Sequence, residues 1–239
     1  MPLKLDAVDM AGAIDRIDGF IRDGGPHYNI AINAAKVVAC EDDGDMRAAV
    51  ADAHLVTADG QAVVWASRLL GRAVPERVAG VDLMERLIEH AARRGYAVYF
   101  LGARPAIVAE VAAIARARFP ALRIAGARDG YFTDEDDVVA EIRAAAPDIV
   151  FLGFGTPAKE YFMHRRYREL GVPFVMGVGG SFDVYAGAIK RAPSWMQRAG
   201  LEWAFRVAQE PRRMWKRYLI GNSRFVAIVA RELVRKARA

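Results

Sequence analysis

The sequence predicts an α/β protein: a Rossmann-like, mostly parallel sheet with helices on both faces, followed by a C-terminal basic helical appendage. Three observations carry this. Strand-like apolar runs alternate with helical stretches of roughly 10–16 residues, the rhythm of βαβ units. Two of those runs are continuously apolar, as strands covered on both faces are. From Ser194 the alternation stops and arginines accumulate. The division that follows is an α/β core over 1–195 and an appendage over 196–239.

Taken in order, 8–23 reads as a helix with Val8, Ile14, Ile17 and Ile21 on one side. A strand over 27–33 ends in the polar Asn33. Helical stretches over 34–40 and 45–53 lead to a strand at 54–58, and a helix over 61–70 follows. A loop holding Pro75, Glu76 and Arg77 leads into a helix over 81–94, whose Leu83, Leu87, Ile88 and Ala91 share a face. Strands at 96–102, 122–127, 148–155 and 173–180 then alternate with helices at 105–119, 133–146 and 157–170. Pro105 suits a first helical turn, and Pro147 stops the second of these helices. Beyond 194, residues 197–219 read as one helix and 222 onward as a second, basic one. In the latter Arg224, Arg231, Arg235 and Arg238 share a face, and Val226, Val229, Ala230 and Leu233 share another.

Composition bounds the function. At 239 residues, 54% hydrophobic and 26% charged, the chain has the make-up of a folded globular protein able to bury a large core. Its single cysteine, Cys40, permits no internal disulfide and no cysteine-based zinc site, which fits a reducing cytoplasm. Acids interrupt the first twenty residues where a signal peptide would be apolar, and no apolar run approaches the ~18 residues that cross a bilayer. The expectation is a protein kept on the cytoplasmic side. The net charge of +5 is uneven: residues 198–239 hold eleven Lys or Arg against three acids, so the rest of the chain is slightly acidic. Such a tail is a solvated helix face, a nucleic-acid contact with aromatics interleaved, or a dock for an anionic membrane.

Ligands of parallel α/β sheets sit beyond the carboxyl ends of the strands. Those ends hold Asn33, Asp59, Gly102, Gly130-Tyr131, Gly153–Thr156 and Gly179-Gly180. Asp59-Gly60 places a carboxylate where a strand passes into a helix, the position of a general base, with Arg77 and Asp82 in the loop beyond. The same dipeptide is an ordinary turn, and Asp59 equally a helix cap. Gly153-Phe-Gly155-Thr-Pro-Ala158 follows the dinucleotide pattern, but Pro157 removes an amide and no acid follows about 20 residues on to hold a ribose. An NAD-dependent oxidoreductase is therefore disfavoured. Asp134-Glu135-Asp136 has the D-x-D form of a metal-binding motif, yet a capping box opening at Thr133 accounts for it. The four histidines are scattered, so no metal site is expected. Gly179-Gly180 with Asp183 is either a ligand-hugging turn or a tight turn and cap. No P-loop and no G-x-S-x-G occurs.

Read together, the motifs resemble the WecG/TagA/CpsF glycosyltransferases. The matching pieces are Asn33, A-D-G at 58–60, P-E-R-V-x-G-x-D-L at 75–83, F-L-G at 100–102 and D-G-Y-F at 129–132. They continue with G-F-G-T-P-x-K-E at 153–160, G-V-G-G-S-F-D at 177–183, R-A-P at 191–193 and G-L-E-W-x-x-R-x-x-x-E-P-R-R at 200–213. The resemblance spans about 8–225. It implies an inverting transferase needing neither metal nor cofactor, moving a sugar from a UDP-sugar to a polyprenyl-diphosphate-linked sugar at the inner membrane face, in surface polysaccharide assembly. By position, Asp59 looks like the catalytic base, with Asn33 and Arg77 beside donor sugar and acceptor. Tyr131 and Asp183 look like uridine contacts, and Gly102, Gly153, Gly155, Gly179 and Gly180 look like pocket-shaping residues. Arg206, Arg213 and Arg217 look like diphosphate contacts on a membrane-docking appendage. Two departures fall near the donor pocket: Ala31 where the family has Thr, and Lys159 where it has Gln. A lysine there meets a carboxylate or a phosphate, which leaves N-acetylmannosamine, glucose or a uronic acid open as the transferred sugar. Homo-oligomerisation is left open. The competing class is a nucleotide- or nucleic-acid-binding regulatory protein that uses the basic tail.

Overall fold

The structure is a computed structural model that describes residues 3–198, 200–209 and 211–238, with the side chains at 194, 198, 206 and 211–220 outside the described set. The strands are β1 (His27–Ile32), β2 (Leu55–Ala58), β3 (Ala97–Gly102), β4 (Arg123–Arg128), β5 (Ile149–Gly153) and β6 (Phe174–Gly177). They form one sheet in the order β2-β1-β6-β5-β3-β4, and every pairing is parallel. The helices of the α/β region are α1 (Met10–Asp23), α2 (Ala34–Asp42), α3 (Gly44–Ala51), α4 (Gln61–Leu69), α5 (Gly80–Arg94), α6 (Pro105–Arg118), α7 (Glu135–Ala145), α8 (Ala158–Arg166) and α9 (Ser181–Tyr185). The chain closes with α10 (Ser194–Arg198), α11 (Glu202–Gln209) and α12 (Pro211–Ala237).

The alternation of side chains along each strand splits the core into two layers. Val98 and Phe100 of β3, with Phe151, Phe174 and Met176, face α1, α5, α6 and α9. Tyr99 and Leu101, with Ile30, Val150 and Val175, face α2, α3, α4, α7, α8 and α12. Covered on both sides, β3 is buried along its whole length, which is why its sequence shows no polar alternation. The handedness of parallel crossovers decides which face each helix takes. Connections running toward β4, through α5 and α6, lie on the first face; those running toward β2, through α2–α3, α7 and α8, lie on the second. The chain therefore leaves neighbouring strands in diverging directions, toward β2 over the second face from one and toward β4 over the first from the other, between β1 and β6 and between β5 and β3. Those gaps are where ligand crevices open in such sheets.

Local signals explain the ends. Asp9 caps α1, accepting from the Gly12 amide at 2.7 Å, and Gly24 closes that helix in the left-handed conformation at φ 72°. Asp134, not Thr133, caps α7: its Oδ1 accepts from the Asp136 amide at 2.8 Å. The motif is a cap as expected, displaced by one residue. The tail departs further from the sequence reading. The stretch 197–219 is not one helix but parts of three, α10, α11 and the start of α12, and α12 runs unbroken for 27 residues where a second helix from 222 was expected. The inward stripe of α12 is Phe225, Ile228 and Val229, packed on the second core layer, while Val226 is 64% exposed. Arg224 and Arg231 pair with Asp42 and Glu41 of α2.

Candidate active site

Asp59 stands one residue past β2. Its amide extends the ladder by donating to the Ile32 carbonyl at 2.8 Å, so its position is set by the sheet. Its carboxylate does not cap the following helix; the N-cap of α4 is Gly60, with no side-chain cap. Instead Oδ1 accepts from the amide of Gly80, the first residue of α5, at 2.9 Å. Oδ2 has no hydrogen-bond partner among the described residues, and the residue is half-buried, open to the crest of the sheet.

Asn33 sits at the adjacent strand end. Its Oδ1 caps α2 by accepting from the Lys36 amide at 3.1 Å. A Cβ added to Gly60 would lie 3.4 Å from the Asn33 Cβ, so Asn33 and Asp59 flank one gap. Arg77, in the loop before α5, is held by the chain's far end: its guanidinium donates to Glu202 of α11 at 2.9 Å. Arg191 donates to the same Glu202 at 3.4 Å and to Asp82 of α5 at 2.7 Å. Asp82 and Glu202 keep the Arg191 guanidinium firmly charged, above its ordinary value. Four charges from the loop, α5, the stretch before α10 and α11 thus close into one network beside Asp59.

Beneath this crest lies a buried ion cluster. Glu160, fully buried, takes the ammonium of Lys36 at 2.9 Å and of Lys159 at 2.6 Å on the same oxygen, Oε1. Lys159 also donates to the Thr156 hydroxyl at 2.6 Å, and Lys36 to the Ala31 carbonyl at 2.6 Å. Burial, reinforced by Lys36, lowers the Lys159 ammonium to about 8, against the opposing pull of Glu160 and Asp59. Burial pushes the Glu160 carboxyl up, but the two ammonium groups outweigh it and hold it below the carboxylate range. Glu160 Oε2 is buried without a partner.

The second crevice, between β5 and β3, is a cleft of ≈ 390 Å³ lined by Ala103, Gly130, Tyr131, Phe132, Gly153, Phe154, Gly155 and Phe162 among others. Its floor depends on glycine. Gly102 has φ 126°, and a Cβ there would lie 2.7 Å from the Gly153 carbonyl carbon; a Cβ on Gly153 would strike the Phe182 ring at 2.3 Å. Tyr131, 74% exposed, stands at the rim, its turn fixed by an Asp129 carboxylate accepting its amide at 2.8 Å.

The structure thus gathers the sequence candidates in two groups. Asn33, Asp59, Arg77 and Lys159 gather at the ends of β1 and β2 and the start of α8; Tyr131, Gly153 and Gly155 share the cleft. Gly179, at φ 54°, lies over Lys159, a Cβ there being 3.7 Å from its Nζ. Gly180 and Asp183 begin α9 and do not line the cleft; the Asp183 carboxylate has no partner among the described residues. The side chains of Arg206, Arg213 and Arg217 lie outside the described residues. Lys36, Glu160, Arg191 and Glu202 were not anticipated in the site. The only sequence signal for Lys36 was a lone cation in an apolar helical stretch, AAKVVAC.

No group of three or more metal-ligating side chains occurs among the described residues. Asp134 is spent on its cap and Asp136 pairs with Arg166. No helix among the described residues is long and apolar enough to cross a membrane.

The profile of the glycosyl transferase WecG/TagA/CpsF family matches residues 1–239. The chain is 39% identical over 186 residues to the N-acetylglucosaminyldiphosphoundecaprenol N-acetyl-beta-D-mannosaminyltransferase of Bacillus spizizenii, an alignment covering 77% of this chain and 72% of that protein.

Proposed function

The chain belongs to the glycosyl transferase WecG/TagA/CpsF family and is a glycosyltransferase, and from that premise we propose that it moves a sugar from a UDP-sugar onto a sugar carried by a polyprenyl diphosphate, with inversion and without a metal ion. The observation that carries this reading is Asp59: a carboxylate fixed through one oxygen by the Gly80 amide, its second oxygen without a hydrogen-bond partner among the described residues, at the strand end beside Asn33. In the proposed reaction Asp59 takes the proton of the acceptor hydroxyl. That oxygen bonds to the anomeric carbon while the bond from that carbon to the UDP oxygen breaks, and UDP leaves with the electron pair. Attack opposite the leaving group inverts the anomeric centre. Asn33 orients the sugar hydroxyls, and the glycine-floored cleft under Tyr131 takes the uridine. Arg77, with the arginines of α11 and α12, meets the diphosphate charge in place of a metal. The commitment of Asp134 and Asp136 to a cap and an ion pair supports this choice. The acceptor of the Bacillus spizizenii protein supports an N-acetylglucosaminyl diphosphate lipid as acceptor here, used at the inner face of the membrane in surface polymer assembly.

The test is turnover of a panel of UDP-sugars, including N-acetylmannosamine, glucose and uronic acid donors, with that acceptor in EDTA. One donor should turn over with an inverted product. Asp59→Asn should lower its rate by roughly 10²–10⁴ while UDP affinity stays within about twofold of wild type. Near-normal turnover by Asp59→Asn removes Asp59 as the base, and a strict Mn²⁺ requirement removes the metal-free step.

A further inference from the structure

The lysine pair on Glu160 stands where a ligand would meet it. Lys36 enters from α2 and donates to the Ala31 carbonyl on β1. Lys159 enters from the first turn of α8 and packs along β6, where a Cβ added to Gly177 would lie 3.2 Å from its side chain. The pair therefore underlies the gap between β1 and β6, one of the two places where this sheet opens a crevice. The Lys159 ammonium ends against the hydroxyl of Thr156, an exposed residue, and beside Gly179, whose absent side chain would stand 3.7 Å from it.

The charge in this crevice is out of balance. Two ammonium groups share one oxygen of one carboxylate. Each ammonium carries three N–H donors and has two acceptors among the described residues, Glu160 with Thr156 for Lys159 and Glu160 with Ala31 for Lys36, so each keeps one to give. A buried cation in excess of its acids destabilises a fold, and such departures sit where function calls for them. Asp59 also acts on Lys159, but in the reaction proposed for it that carboxylate takes a proton and loses its charge. A lasting partner has to come with the ligand.

A nucleotide-sugar donor offers two kinds of anion: its diphosphate, and a carboxylate when the sugar is a uronic acid. Position favours the second. The cleft that takes the uridine opens between β5 and β3, and the gap between β1 and β6 lies two strand spacings away, about 10 Å. Ribose and diphosphate fill that span, which leaves the sugar over the lysines, with its anomeric carbon toward the strand end that holds Asp59. The surplus is a single charge, matched by one carboxylate, and Arg77 stands at the crest for the diphosphate.

We propose that Lys159 and Lys36 form a carboxylate subsite for the transferred sugar, so that the donor is a UDP-uronic acid whose C6 carboxylate accepts their two spare N–H groups. The proposal rests on the reading of Asp59 as the base of a UDP-sugar transferase, and it names the sugar which that reading leaves open. The Bacillus spizizenii protein is named for an uncharged sugar, so the two proteins part at the donor.

The test is calorimetric binding of two matched pairs to the full-length protein: UDP-glucose against UDP-glucuronic acid, and UDP-N-acetylmannosamine against its C6 uronate. In at least one pair the uronate should bind about tenfold or more tighter at pH 7, the worth of a hydrogen bond between charged groups. In Lys159→Gln that ratio should fall to within about twofold of one, with urea unfolding checking that the variant is folded. In the wild type the ratio should also shrink as the pH rises past about 8, where Lys159, facing Lys36 of α2, Glu160 of α8 and Asp59 beyond β2, gives up its proton. The variant should show no such decline. Absence of a preference for either uronate overturns the proposal. So does an equal loss by Lys159→Gln of affinity for neutral donors, uronates and UDP alone, which would assign the lysines to the diphosphate. Because binding is the readout, a protein that favours a uronate but transfers nothing loses the proposed reaction and keeps the subsite. One that binds and turns over a neutral donor alone loses the subsite and keeps the reaction.

Discussion

At Glu160 one carboxylate oxygen serves two ammonium groups, Lys36 and Lys159, in a space where all three side chains are at most 8% exposed. The cluster carries one surplus positive charge, and the nearest acid acting on Lys159 beyond Glu160 is Asp59. Removing the carboxylate and removing a lysine should therefore have opposite consequences. Glu160→Gln leaves two buried cations uncompensated and should cost about 3–5 kcal/mol in urea unfolding. Lys159→Gln removes the surplus charge and should be neutral or stabilising. Its pH signature follows from the lowered native value of about 8 against an ordinary 10.5. Between those values the unfolded chain binds more protons than the native one, so Lys159 makes stability rise with pH. Urea midpoints between pH 8 and 10 should rise less steeply in Lys159→Gln than in wild type. At this scale Asn33 and Asp59 were legible as strand-end residues, and the pairing of β1 with β2 sets those two ends side by side. Nothing in the sequence signalled Glu202 reaching Arg77, because the two are 125 residues apart and belong to different elements.

Among the elements, α12 shows where periodicity fails. The apolar stripe expected through Val226 is rotated, and the residue that enters the core is Phe225, 7% exposed. A long helix with apolar residues on several sides does not declare which side is inward; the ion pairs from Arg224 and Arg231 to α2 decide it here. Phe225→Ala should cost about 3–5 kcal/mol by opening a cavity. Val226→Ala, at its exposed neighbour, should stay within about 0.5 kcal/mol. Urea denaturation of the two variants checks the rotation directly. A deletion of 198–239 would uncover the second core layer as well as remove the basic tail, so point substitutions are the cleaner test of the tail. The sheet was far more legible than the tail. Each strand was bounded by Gly, Pro, Asn or Asp, and a strand buried on both faces has no facing to misassign.

For the molecule as a whole, Asp18 is the tie that joins α1 to α5 and the start of β3. It is 4% exposed and accepts from His90 at 2.8 Å, from Arg94 at 2.7 Å and 3.1 Å, and from the Tyr96 hydroxyl at 3.0 Å. Burial alone would raise its carboxyl, but these donors outweigh it and hold it far below the carboxylate range. A carboxyl depressed in the native state stabilises fully above its unfolded value, about 3.9, and loses that contribution as pH falls below it. Asp18→Asn should therefore cost about 3 kcal/mol at pH 7, and the gap to wild type should narrow in urea unfolding at pH 3.

The clasp made by α12 has a consequence for how the molecule is born. Phe225 fills the layer over α2, Arg231 holds Glu41, and Lys236 reaches the end of α4. While the chain is still emerging from the ribosome, the sheet and its helices precede the segment that covers them. The outer side of α2 then waits, uncovered, until α12 has been made, and completion of the fold depends on the arrival of that segment rather than on the pairing of the strands.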